Sequence, residues 1–179
     1  MKFRSATEAD ITQICALERV PEFRTLVGSW PEDQHMRMLA DPGAAYIVAE
    51  DQAGRVAGFA ILQGLLSEHR QVELKRLVVR TPNQGIGKQL LTDVVARAFG
   101  EHSAHRLFLD VFVTNDRARH VYENFGFRKE GIMRDAIYRD GSYHSLVLMS
   151  LLETEYRCGS KAPAQGAMNR VARMDRLNG

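Results

Sequence analysis

Val72-Glu73-Leu74-Lys75-Arg76-Leu77-Val78-Val79-Arg80-Thr81-Pro82-Asn83-Gln84-Gly85-Ile86-Gly87-Lys88 joins three kinds of local signal in seventeen residues. Residues 72–79 are mostly large and apolar and read as a strand. Residues 81–85 carry turn chemistry, and Gly85 and Gly87 stand where a helix opens. Strand, glycine turn and helix in that order place backbone N–H groups at a helix N-terminus, where they can meet a phosphate. Two nucleotide sites are disfavoured. No third glycine and no acid placed for a ribose complete a dinucleotide fingerprint, and Lys88 is followed by Gln89 where a P-loop has Ser or Thr.

The strand also changes parity. Val72 and Leu74 share one face by strict alternation, while Leu77 and Val79 share the other. A strand buried on both faces gives this pattern. So does a β-bulge near residues 76–78, which would part the strand from its neighbour and leave a gap for an extended ligand.

Working outward, the helix of residues 87–99 shows Leu90, Leu91, Val94, Val95 and Ala98 on one face, suited to packing on a sheet. Upstream, residues 45–50 and 55–62 are apolar runs joined by Asp51-Gln52-Ala53-Gly54, a hairpin pattern. A first strand is expected at 2–4. Thr7 then caps a helix with Ile11, Ile14, Cys15 and Leu17 or Glu18 inward, and a helical stretch over 22–40 breaks at Gly28 and Pro31. Downstream, 106–113 reads as a strand and 116–125 as a helix stopped by Gly126. Residues 127–131 and 145–152 read as the last strands. The fold class expected is mixed α+β: a mixed, mostly antiparallel twisted sheet of about seven strands with helices on both faces.

Asn115-Asp116-Arg117-Ala118-Arg119-His120-Val121-Tyr122-Glu123-Asn124-Phe125-Gly126-Phe127 resembles the Asn-x-x-Ala-x-x-x-Tyr-x-x-x-Gly-Phe signature of the GNAT acyltransferase superfamily. Residues 74–99 resemble that family's coenzyme A motif, and the resemblance covers about residues 1–155. Residues 131–152, with Arg134, Asp140-Gly141 and Ser145-Leu146, resemble the branch that includes ribosomal-protein N-terminal acetyltransferases.

The resemblance implies acetyl-CoA as cosubstrate. Backbone groups of Leu77, Val78 and Val79 would hold the pantetheine arm, and amides of Gln84, Gly85, Ile86, Gly87 and Lys88 the pyrophosphate. Asn115 would bind the pantetheine region, and Tyr122 would sit near the thioester sulfur. Read as residues alone, Asn115 is also a good helix cap and Tyr122 a good core side chain. Pro82 stands where the family usually has Arg or Gln, and the loop is about two residues shorter, so Arg80 or Lys88 is the candidate to supply charge there.

Acetyl transfer to an amine needs a neutral nitrogen, a stabilised oxyanion and a proton for the leaving thiolate. Glu73 resembles the position of the family's general base, with pairing to Lys75 or Arg106 as its other reading and Glu68 as a substitute. Tyr122 is the expected general acid, and a backbone N–H near Val78 the oxyanion donor. A protein N-terminus, a polyamine, an amino acid or an antibiotic amine are all candidate acceptors. By analogy with the family, residues 22–40, 64–71 and 135–143 would form the acceptor pocket, with Phe23, Trp30, His69 and Arg139 lining it or packing locally. The rival class is a non-catalytic acyl-CoA-binding sensor or interaction module.

The whole chain sets the remaining bounds. At 179 residues it suits one domain, residues 1–155, followed by an extension at 156–179, flexible or a short helix around Met168, Val171 and Ala172. Net charge is +2, and Lys161, Arg170, Arg173 and Arg176 in that extension leave the body close to neutral, which argues against nucleic acid. No apolar run is long enough to span a membrane, and residues 1–10 lack a secretory signal. With only Cys15 and Cys158, a cytoplasmic protein without a disulfide framework is expected. His102 and His105 lack Cys or carboxylate partners at ordered spacing, and His120 and His144 read as surface residues, so no metal is expected. The strand of residues 145–152 is a candidate for homodimer contact.

Overall fold

A computed structural model of the chain describes residues 1–20 and 26–159. The start of the expected 22–40 helical stretch, Phe23, and the extension from residue 160 onward lie outside the described residues.

Strand β1 (Lys2–Ser5) leads into a 3-10 turn at Glu8–Asp10 and helix α1 (Ile11–Glu18). Asp10 fixes that entry by accepting from Thr7 N at 2.8 Å and from the Arg4 guanidinium at 2.8 and 2.9 Å. After Pro31, an N-cap in extended conformation, comes α2 (Glu32–Leu39). Thus Pro31 does set a helix boundary, but residues 26–31 are not helical.

Strands β2 (Ala44–Glu50) and β3 (Val56–Gln63) form the expected hairpin, its turn held by Asp51 accepting from Ala53 N and Arg55 N. Then follow β4 (Gln71–Val79), α3 (Ile86–Gly100), β5 (Arg106–Phe112), α4 (Asp116–Phe125), β6 (Arg128–Arg139), β7 (Ser142–Leu152) and α5 (Glu153–Gly159). One seven-stranded sheet has the order β1-β2-β3-β4-β5-β7-β6, in which only β4 and β5 pair in parallel.

Helices cover both faces. Ile11, Ile14 and Leu17 of α1 pack with Tyr46, Val48, Phe59 and Ile61 on one side, while Leu90, Leu91, Val94 and Val95 of α3 pack with Leu62, Leu107, Leu109 and Met149 on the other. Tyr156 of α5 stacks on Phe99 at 5.2 Å, so packing reaches past residue 155. Among the described residues no helix is long and apolar enough to cross a membrane.

The parity change in β4 is a bulge. Ile61 pairs with Arg76 and Leu62 with Leu74, which leaves Lys75 as the extra residue, just upstream of the expected 76–78. Val72, Leu74, Leu77 and Val79 consequently all face the α3 side, while Val78 joins the α1 side.

The C-terminal hairpin differs from the sequence reading. Strands expected at 127–131 and 145–152 extend until Arg139 meets Ser142 across an Asp140-Gly141 turn, both turn residues having positive φ. Between the pairs Met133↔Leu146 and Ile137↔His144, residues 134–136 of β6 oppose only Ser145. That wide irregularity breaks the alternation by which a strand is recognised. Strand β7 is paired on both sides, by β5 and β6, and the outer edges of the sheet belong to β1 and β6, so the expected dimer contact through 145–152 has no free strand edge.

Candidate active site

The feature that opens the sheet is short pairing. β4 and β5 are matched only over Gln71↔Arg106, Val72↔Leu107 and Glu73↔Phe108. Beyond Glu73 the β5-facing edge of β4 has no strand partner, and its N–H and C=O groups are available to a ligand.

A cavity of about 710 Å³ fills this opening, lined by Leu77, Val78 and Val79, by Pro82, Asn83, Gly85, Gly87 and Lys88, and by Asn115, Ala118, Val121 and Tyr122. Gly85 caps α3 with φ +77, a left-handed conformation that costs little only for glycine. The first intrahelical N–H bond is that of Gln89 to Gly85 O, so the amides of Ile86, Gly87 and Lys88 remain unclaimed at the positive end of the helix dipole. Of the two cations considered for this loop, Lys88 lines the cavity. Arg80 is occupied elsewhere, donating from Nε and Nη2 to Val56 O at 3.2 and 2.9 Å.

Asn115 is the N-cap of α4, its Oδ1 accepting from Ala118 N at 3.1 Å, while the residue also lines the cavity. Cap and lining are therefore one residue, because the cap fixes the side chain at the cavity wall. Tyr122 projects from α4 about two turns further, packs on Phe127 and borders the same space. Burial, reinforced by the Asp110 carboxylate, pushes the Tyr122 phenol up to about 12. Its proton is retained across the neutral range.

Glu73 stands at the last paired position before the strands part. Its Oε1 is 3.0 Å from Lys75 Nζ, the pairing weighed from sequence, and it lines neither cavity described here. Arg106, the other partner considered, binds Glu130 instead. Glu68 is almost wholly exposed in the turn before β4, at the strand's opposite end. Asp110 was not singled out from sequence. It faces the opening from β5, exposed to solvent there yet surrounded by enough protein for desolvation to raise its carboxyl pKa, with Lys75 opposing and Glu73 reinforcing the rise. The available signal was a lone acid inside an apolar strand.

A second cavity, of about 550 Å³, continues along the same strand, lined by Lys75 and Arg76, by Gly28, Ser29 and Trp30, and by Ile137, Arg139 and Asp140. The two spaces follow one another: Leu26 and Val27 border the first where Gly28 to Trp30 border the second. Trp30 and Arg139 were expected here. His69 and the 64–71 loop are not, since that loop packs beside Ser103 and His105 at the far end of β4.

Behind the second cavity lies a buried network. Glu18, fully buried on α1, accepts from Trp30 N at 2.8 Å and Arg76 Nε at 2.8 Å and contacts His35 Nε2 at 3.2 Å; His35 Nδ1 reaches Tyr46 Oη at 3.0 Å. The Arg76 guanidinium also lies over the Trp30 ring, 4.6 Å from its centroid. A strand arginine ordinarily reads as solvent-facing, which is why sequence did not reveal this one. Among the described residues no group of three or more His, Cys, Asp or Glu side chains could hold a metal.

Comparison with known proteins follows this geometry. The sequence model of the acetyltransferase (GNAT) family matches residues 11–127. A spermidine N(1)-acetyltransferase of Vibrio cholerae is 26% identical over 127 residues, covering 70% of this chain and 73% of that protein. A putative ribosomal N-acetyltransferase of Bacillus subtilis is 31% identical over 104 residues, covering 58% of this chain and 57% of that protein. Among solved structures, the Vibrio cholerae spermidine N-acetyltransferase in complex with CoA and spermine superposes with a TM-score of 0.78 at 21% identity, over 87% of this chain and 97% of that one, a likeness of fold.

Proposed function

The chain belongs to the GNAT acetyltransferase family and is an acetyl-CoA-dependent N-acetyltransferase, and we propose that the parting of β4 from β5 is where it brings thioester and amine together. The observation that carries this reading is the strand edge left open after Glu73 beside a glycine-capped helix, with Asn115 and Tyr122 on the facing wall.

In this reading the pantetheine arm lies along Leu77, Val78 and Val79 as an extra strand would, and Asn115 meets it from the other side. The pyrophosphate rests on the amides from Gln84 to Lys88, with the Lys88 ammonium supplying charge where Pro82 offers none. The thioester then reaches the junction of the two cavities, near Leu77, where an amine arriving through the second cavity can attack it directly in a ternary complex.

The acceptor must lose a proton to become nucleophilic. Glu73, with Asp110 near it, is the base, acting through water because neither cavity is lined by Glu73 itself. Attack forms the C–N bond, and the backbone N–H near Val78 receives the oxyanion. Collapse breaks the C–S bond, Tyr122 gives its phenolic proton to the thiolate, and the proton that the new amide nitrogen sheds returns through solvent to the phenolate. A phenol held near 12 is protonated at any working pH, as an acid in this role must be.

The acceptor is a primary amine, on a small molecule or a protein N-terminus. A cytoplasmic protein with no nucleic-acid or membrane role is part of the same proposal, supported by the near-neutral body and two unpaired thiols, Cys15 and Cys158. A homodimer formed by strand pairing would use one of the two outer edges of the sheet, β1 or β6.

Initial rates measured while both substrates vary test the scheme. Intersecting double-reciprocal lines, with an N-acetylated product seen by mass spectrometry, are expected. Parallel lines would indicate a covalent acyl-enzyme, and acetyl-CoA binding without any acetylated amine would turn the protein into a sensor.

A further inference from the structure

The second cavity holds cations where a receptor for polyamines needs carboxylates. Lys75, Arg76 and Arg139 line it against one acid, Asp140. Lys75 is paired with Glu73, and Arg76 gives its Nε to Glu18. Glu18 cannot in turn serve a substrate ammonium, because it is fully buried and already contacts Trp30 N, Arg76 and His35.

The guanidiniums of Arg76 and Arg139 border the cavity. Among the described residues the Nη groups of Arg76 make no hydrogen bond, although Arg76 is only 9% exposed. Arg139 has no ion pair among them, and its Nη1 is buried with no hydrogen-bond partner. These guanidiniums come from different strands, β4 and β6, yet converge over Gly28: the Nη2 atoms of both lie 3.2 Å from the point a Cβ on Gly28 would occupy. A side chain there would crowd both guanidiniums, which would have to give by a few tenths of an ångström, whereas glycine leaves them where they are.

Two like charges brought together out of bulk water, with donors left over, form a site that an oxyanion completes. Guanidinium forks suit carboxylate and phosphate because two parallel N–H donors match two oxygens. Resting on the acetyl-transfer reading above, the geometry points to an acceptor that is a small amine carrying its own oxyanion, held by Arg76 and Arg139 while its amine reaches the thioester at Leu77. A polyamine, which brings several ammonium groups and no anion, is the poorest fit to this cavity.

The test compares four acceptors at saturating acetyl-CoA: a small amino acid, the amino alcohol of the same skeleton, the phosphate ester of that alcohol, and spermidine. We expect kcat/KM for the carboxylate or the phosphate to exceed that for the alcohol by at least about tenfold, the scale of one charge-assisted hydrogen bond, with spermidine lowest. The better of the two anions identifies which oxyanion the site takes. Arg139→Gln should collapse that preference to within about threefold, and Arg139→Glu should invert it towards spermidine; thermal melts verify that both variants fold. Preference for spermidine or the alcohol overturns the inference, as does finding that calorimetry detects no binding, and the assay no acetylation, of either anionic amine. Acetyl-CoA binding, measured on the same samples, separates the two levels: acetyl-CoA bound with a neutral amine preferred removes only the anion site, whereas no acetyl-CoA binding removes both readings.

Discussion

The two cavities that meet along β4 are made from different materials. The one beside Leu77, Val78 and Val79 is walled by backbone: an unpaired strand edge, the open first turn of α3 and a capped turn into α4. The other is walled by side chains from three separate segments, with a buried carboxylate behind them. A backbone-built site tolerates change in most of its side chains and depends on a few glycines and caps, while a site built from side chains can be redirected one residue at a time. The first therefore suits a cosubstrate that stays the same, and the second suits an acceptor that can differ between relatives.

Substitutions can break that contrast, and the largest effect is expected behind the second cavity. Glu18→Ala would leave Arg76 and His35 buried without their carboxylate, a loss of about 3–5 kcal/mol in a urea melt. If the cavities are independently built, acetyl-CoA affinity of the folded fraction stays within about threefold by calorimetry. A parallel loss of cosubstrate binding would join the two regions into one unit.

Tyr122→Phe attacks the contrast from the other side. Removing the proton donor while keeping the ring should lower kcat about a hundredfold, the lower end for general acid catalysis, and leave acetyl-CoA affinity nearly unchanged. Unchanged turnover would take Tyr122 out of the chemistry and leave it as a wall.

Asp10 supplies a control remote from both cavities. Bonds from Arg4 hold its carboxyl at about 2, below the ordinary 3.8, against the opposing effect of burial. A depressed carboxyl contributes stability that is present above pH about 4 and lost as pH falls through 2. Asp10→Asn should remove about 1–2 kcal/mol of that contribution at neutral pH and flatten the acid limb, with neither cavity's affinity altered.

The smallest expected effect is at the capped turn. Asn115→Ala loses the bond to Ala118 N, about 1 kcal/mol of stability, and should weaken acetyl-CoA binding severalfold because the cap also positions the cavity wall. Loss of stability alone would reduce Asn115 to a cap.

The same division of materials explains what could be read in advance. Gly85, Gly87, Asn115 and Gly126 are residue types that a tight turn, a cap or a helix stop selects, so the turns and caps that wall the first cavity were legible along one stretch of chain. The parity of Val72, Leu74, Leu77 and Val79 was compatible with burial on both faces or with a bulge, and it is a bulge in which one extra residue, Lys75, flips every side chain after it. Arg76 and Asp110 carried no such mark, since what makes them important is the approach of Glu18 from α1 and the opening of β4 from β5, contacts between distant segments. Trp30 and Arg139, expected together by analogy with the family, do line one cavity, whereas His69 does not, because the 64–71 loop precedes β4 at the end where the strands remain paired. The length of the β6–β7 hairpin was hidden by residues 134–136, whose irregular pairing has no period-2 pattern to detect.

The most direct test of a backbone-built cosubstrate site is amide hydrogen exchange followed with and without acetyl-CoA. Slowed exchange is expected at the amides of Gly85, Ile86, Gly87 and Lys88 and along residues 77–79, with residues 28–30 and 137–140 unaffected until an acceptor is added. Protection confined to residues 28–30 and 137–140, or no change at the 77–79 edge and the first turn of α3, would contradict it.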